Sequence, residues 1–160
     1  MTMNNSNIEI KPMTIEDVDI MPWKNGERHL EYMREAIKRS ETNVIDFLSI
    51  WLDGQIAGYG GIDYEKEQEA GYMWMLTVNP KYRSQGLGTK LIDALEKQVR
   101  QRGLNSVKLS VEVINPKAKA LYERLGYKTI GQTKESWEQS AEDGGIEIYT
   151  TICDVMEKPL

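Results

Sequence analysis

Hydrophobic positions along the chain change their period once, near the middle. Ile8 to Pro12 reads as a short first strand, and Thr14 then offers a hydroxyl cap to a helical turn that carries Glu16 and Asp17. Leu30, Met33 and Ile37 recur at helical spacing within Glu27 to Arg39, a stretch rich in helix formers. Val44 to Leu52 is apolar and β-branched, Asp53-Gly54 is the strongest hairpin signal in the chain, and Gln55 to Tyr64 pairs back. Tyr72 to Val78 is a third long apolar run, closed by Asn79-Pro80. These runs predict a meander of antiparallel strands.

After Pro80 the pattern alternates between helix and strand. Leu87, Leu91, Leu95 and Val99 lie at i, i+4 spacing within Gly86 to Arg102, and Gly103 ends that helix. Val107, Leu109, Val111 and Val113 then alternate on one strand face. Asn115-Pro116 opens a short helix, with asparagine as cap and proline at the first helical position, and Gly126 stops it. Tyr127 to Ile130 and Ile146 to Met156 read as closing strands, joined by a polar loop around Ala141 to Gly145. The order strand, helix, strand, helix, strand requires at least one parallel crossover. The fold class is therefore mixed α/β: an antiparallel sheet first, a parallel joint later, with flanking helices.

No repeat, low-complexity tract or linker interrupts this pattern, and 160 residues suit one domain over 1–160. A formal net charge of -5 argues against a nucleic-acid partner. One cysteine, Cys153, excludes an intrachain disulfide, and one histidine, His29, excludes a histidine-rich metal site. Met1 to Asn7 lacks the basic and apolar zones of a signal peptide, and no apolar run is long enough to cross a bilayer. The expectation is a cytoplasmic protein with neither membrane nor metal.

The candidate chemistry sits in Val78-Asn79-Pro80-Lys81-Tyr82-Arg83-Ser84-Gln85-Gly86-Leu87-Gly88. A strand ends, and two glycines open an amphipathic helix. A helix N-terminus has unpaired N–H groups and positive dipole charge, and glycines let a bulky anion reach the backbone, so this is a phosphate site. Lys81 and Arg83 add positive charge. Gly88-Thr89-Lys90 lacks the spacing and the following hydroxyl of a Walker loop, and Leu91 stands where a dinucleotide fingerprint needs its third glycine. A plain tight turn is the alternative reading of the glycine pair.

Arg83-x-x-Gly86-x-Gly88, preceded by Leu76-Thr77-Val78-x-Pro80, resembles the acetyl-CoA signature of the GNAT N-acetyltransferases. Asn115-x-x-Ala118-x-x-Leu121-Tyr122-x-x-x-Gly126-Tyr127 is similar to that family's second motif, in the expected order and separation. The resembling segment runs from about Tyr72 to Tyr127. It implies a GNAT fold with a parallel pair of fourth and fifth strands, and acetyl-CoA as co-substrate. It further implies that main-chain donors of Arg83, Ser84, Gln85, Gly86, Leu87, Gly88 and Thr89 hold the pyrophosphate. The strand Leu76, Thr77 and Val78 would pair with the pantetheine arm, and Asn115 would lie near that arm. Tyr122 matches the tyrosine that protonates the departing sulfur; a core aromatic beside Leu121 and Leu125 is the bland alternative. The acceptor would be a primary amine on a small molecule or a peptide terminus. Homodimers occur in the family, though no residue here speaks for one.

The base is less legible. Glu112 shares a strand face with Ser110 and could poise a water; a solvated strand glutamate is the alternative. Around this strand the resemblance leans toward ribosomal-protein-alanine N-acetyltransferases, whose glutamate falls five positions before the motif asparagine, where this chain has Ser110. Cys153 has no histidine near it in sequence and reads as a structural thiol, and His29 reads as a surface residue of a charged helix. Tyr72, Trp74 and Trp137, with Glu135 and Glu138, form either an aromatic, acidic pocket for a cation or part of the core. The competing function is a non-catalytic acyl-CoA-binding or sensor module, which would not need a proton donor at Tyr122.

Overall fold

The computed structural model describes residues 7–160, so all of the segment weighed as a signal peptide except Asn7 lies outside it. Strand β1 (Ile8–Pro12) leads into the short helix α1 (Ile15–Ile20), where Thr14 and Asp17 form a reciprocal capping box. Helix α2 (Glu27–Ser40) follows, then strands β2 (Ile45–Leu52), β3 (Gln55–Asp63) and β4 (Gly71–Val78). The hairpin between β2 and β3 turns at Asp53 and Gly54, both at positive φ (50° and 81°), as a two-residue turn matched to the strand twist requires.

A 3₁₀ turn (Pro80–Tyr82) connects β4 to helix α3 (Leu87–Gln101), which returns to β5 (Ser106–Glu112). Helix α4 (Pro116–Arg124) precedes a long hairpin of β6 (Lys128–Ser140) and β7 (Ile146–Pro159). The described strands form one seven-stranded sheet in the order β1-β2-β3-β4-β5-β7-β6. Only β4 and β5 pair in parallel; the other neighbours are antiparallel. That is the fold class expected from the sequence.

Three details differ from the sequence reading. β6 runs on to Ser140 instead of stopping at Ile130, because each residue of the polar stretch Gln132 to Ser140 finds a ladder partner on β7. The side chains there are mostly exposed, so hydrophobic alternation could not reveal it. Val113 leaves β5 and is exposed, since the chain turns after Glu112 toward α4. β7 inserts between β5 and β6, so the second crossover does not place neighbouring strands side by side.

Two apolar cores flank the sheet. On one face Leu87, Leu91, Leu95 and Val99 of α3 pack on Val107, Leu109 and Val111 of β5. On the other, Leu30, Met33 and Ile37 of α2 pack with Phe47 and Tyr59. Full burial of each such side chain is worth roughly 1.5–3 kcal/mol. The first core also holds a charge: Glu96 is 2% exposed and accepts from Tyr127 Oη at 2.7 Å and from Lys158 Nζ at 3.0 and 3.1 Å. Burial and then Glu96 push the Tyr127 phenol far above its ordinary range, so it remains a donor.

Removing one partner of that pair strands a buried carboxylate. Lys158→Met should destabilise the protein by about 3–5 kcal/mol in urea unfolding, and adding Glu96→Leu should recover most of the loss. Additive losses would mean that the pair is not coupled.

Candidate active site

Strands β4 and β5 pair over only three residue pairs, Gly71↔Val107, Tyr72↔Lys108 and Met73↔Leu109. Beyond Met73 they part. The cause lies in β4, where Met75 has φ 58° and the register against β3 shifts, so that Met75 and Leu76 together face Gly60. A bulge of this kind leaves main-chain groups outside the ladder and bends the strand. The gap so opened is a cleft of about 440 Å³. Met73 to Thr77 form one wall, Leu109 to Glu112 the other, and α4 contributes Asn115, Ala118 and Tyr122.

Past the end of β4 the chain enters α3 through a turn with Ser84 at φ 64° and Gly86 at φ 79°. Gly86 is the N-cap; it has no side chain to cap the helix, and the first turn carries no acid. The first N–H groups of α3 are therefore free for an anion. Gly86 is required by its left-handed backbone. Gly88 has no such requirement: its φ is not positive, and an added Cβ would meet only Val78 Cγ2, at 3.8 Å. Glycine there costs the helix about 1 kcal/mol against alanine, and what it preserves is open space above the backbone. This turn fits a diphosphate.

The other residues singled out in the sequence fall around these two features. Ser84 and Gln85 are exposed in the turn, and Thr89 is half-buried in the first turn of α3. Leu87 is buried in the core, so only its main chain can face a ligand. Arg83 is exposed and donates from Nε to Val78 O at 3.4 Å, which draws the turn onto the end of β4. Leu76 and Val78 pack on the first core, and Thr77 Oγ1 donates to Met75 O at 3.2 Å across the bulge. Asn115 caps α4, its Oδ1 accepting from Ala118 N at 3.2 Å, and also lines the cleft.

Tyr122 lines the cleft with its ring edge-on to Tyr127, 5.9 Å between centroids. Burial pushes its phenol up to about 12, so it holds its proton at any physiological pH. Glu112 lines the cleft at the end of β5 and accepts from Tyr149 Oη at 2.5 Å. Cys153 also lines it, but burial, with Glu135 and Glu112 adding to it, pushes the thiol up to about 11. A thiol so protonated is a poor nucleophile.

A second cleft of about 450 Å³ adjoins the first on the α2 side of the sheet and shares Met73, Trp74, Met75, Ser110, Glu135 and Trp137 with it. Tyr72, Trp74, Trp137 and Glu135 thus line one space, as the pocket reading expected, with Tyr32 and His29 added from α2. Glu138 is not among them; it pairs with Arg28 at 3.1 Å. His29 is no surface residue. Its Nε2 lies 2.8 Å from Tyr59 Oη, and burial lowers its pKa, which favours the neutral ring. The sequence offered no sign of the bulge at Met75 or of the bond from Tyr149 to Glu112, since both depend on strand pairing over long separations.

The sequence model of the Acetyltransferase (GNAT) family matches residues 11–127. The chain is similar in fold to the PaiA N-acetyltransferase from Thermoplasma acidophilum, solved in complex with coenzyme A, at 19% identity over 96% of this chain and 99% of that one, TM-score 0.69. It is likewise similar to a ribosomal-protein-alanine N-acetyltransferase from Brucella melitensis, at 18% identity over 95% and 99% of the two chains, TM-score 0.72. A putative acyl-CoA N-acyltransferase from Klebsiella pneumoniae matches at 25% identity over 98% of both chains, TM-score 0.61. With a family match over most of its length and a split sheet beside an uncapped helix N-terminus, this chain belongs to the GNAT acetyltransferase family, enzymes that use acetyl-CoA as co-substrate.

Proposed function

We propose that the chain acts as one catalytic domain that transfers acetyl from acetyl-CoA to a primary amine, by direct attack within a ternary complex. The parting of β4 from β5 together with the uncapped N-terminus of α3 carries this reading, because the strand that ends in an anion-accepting turn also walls a cleft with an acid and carboxylates. The turn from Arg83 to Thr89 takes the pyrophosphate, Leu76 to Val78 run along the pantetheine arm, and Asn115 lies beside it.

An alkyl ammonium has a pKa near 10.4, so only about one molecule in 2,500 is neutral at pH 7. A carboxylate must draw off the proton, directly or through water. Glu112 takes this role, and its bond from Tyr149 fixes its orientation. A main-chain N–H released by the bulge at Met75 and Leu76 faces the developing oxyanion. Nitrogen attacks the thioester carbon, the C–S bond breaks, and Tyr122 gives its proton to the leaving sulfur. The protonated Cys153 thiol favours direct transfer over an acyl-enzyme. Holding both substrates in one cleft removes much of the entropy cost of their meeting.

An acetyl-CoA turnover screen over a panel of amines, with free thiol as the readout, tests the activity. Tyr122→Phe should lower kcat by about 10²–10⁴ while leaving coenzyme A affinity unchanged by calorimetry; unchanged turnover would remove Tyr122 from the mechanism. Because Tyr122 titrates far above neutrality, kcat should show no falling limb up to about pH 10. Gly88→Ala should raise the melting temperature slightly and raise the KM for acetyl-CoA about tenfold or more. An unaltered KM would show that nothing approaches the backbone there.

A further inference from the structure

The second cleft carries one cation and one carboxylate, and among the described residues neither has an oppositely charged partner. Lys66, on the loop between β3 and β4, rests its ammonium over the ring of Tyr72, 3.8 Å from the centroid. The glutamates on either side of it are engaged elsewhere: Glu65 with Arg39 at 2.7 Å and Glu67 with Lys108 at 3.6 Å. Arg28, the other cation near this wall, is held by Glu31 at 2.5 Å and Glu138 at 3.1 Å. The hydroxyl of the same tyrosine lies 3.5 Å from Glu135 Oε1, and Glu135 lines both clefts. Lys66 lines only the outer of these two. A net negative chain thus keeps a lysine of the outer cleft and a glutamate of the junction against one tyrosine.

That pairing complements a molecule with an ammonium group and a carboxylate on a short backbone. We propose that the acceptor is a free amino acid with a large apolar or aromatic side chain. Its amino group lies at Glu135, where the two clefts meet, and its carboxylate lies on Lys66. Its side chain lies among Tyr32, Trp74 and Trp137, in a space of about 450 Å³. This rests on the acetyltransferase reading of the first cleft. Other amines fit the charges less well. A polyamine sets a second cation against Lys66, and a peptide N-terminus has an uncharged amide where the carboxylate should be, so each leaves Lys66 without its partner.

The test compares phenylalanine with phenethylamine, which lacks only the carboxylate, using acetyl-CoA and free thiol as readout. The KM for phenylalanine should be lower by about tenfold or more. Lys66→Gln should collapse that ratio toward one, and Lys66→Arg should retain most of it; Lys66 is exposed on a loop, so these variants keep the fold. Equal KM values in the unaltered protein, or a Lys66→Gln effect shared by both amines, overturns the proposal. Acetylation of other amines but not phenylalanine also overturns it and leaves the reading of the first cleft standing. Thiol release from no amine counts against that reading instead. Calorimetry with coenzyme A present then decides the Lys66 contact by itself. N-acetylphenylalanine should bind more tightly than N-acetylphenethylamine, and equal binding or none overturns it.

Discussion

A parallel ladder that stops after three residue pairs governs this molecule. Strands β4 and β5 lie at the centre of a seven-stranded sheet, where continued pairing would be the default, yet they separate beyond Met73 and Leu109. The separation begins where Met75 takes a left-handed backbone and β4 gains a residue against β3. Such a conformation costs of order 1–3 kcal/mol and persists only when its surroundings over-determine it. Here they do: β4 is paired to β3 on both sides of the bulge, and apolar cores cover both faces of the sheet. Were the ladder closed, main chain would fill the cleft between the two strands.

The two faces of the sheet divide the work. One face carries α3, fixed by its apolar stripe and by the buried set of Glu96, Tyr127 and Lys158. The other face carries the second cleft. There α2, the loop between β3 and β4, and the long β6–β7 hairpin bring together side chains far apart in sequence. The second cleft is lined by aromatic rings and two charges, and Trp74 among them also packs on the core beneath α2, edge-on to Phe47. Burial acts alike on two groups of the first cleft: it keeps both the Tyr122 phenol and the Cys153 thiol protonated.

Much was legible in the chain itself, for a local reason in each case. Apolar periodicity marked α2 and α3, Thr14 and Asn115 marked the caps of α1 and α4, and Asp53-Gly54 marked a turn; all are decided within a few residues. The turn into α3 was legible in the same way, since Gly86 and Gly88 open an amphipathic helix with no capping side chain. Tertiary structure decided what depends on pairing and on depth. It extended β6 through a polar stretch, placed β7 between β5 and β6, and bent β4 at Met75. It drew His29 inward onto Tyr59 and sent Glu138 to Arg28 rather than into the pocket. It brought Lys66 and Glu135, neither with an oppositely charged partner among the described residues, against one tyrosine. Sequence reports what a residue does to its neighbours along the chain, whereas an unsatisfied charge or a parted strand is defined only by what other segments bring, or fail to bring, beside it.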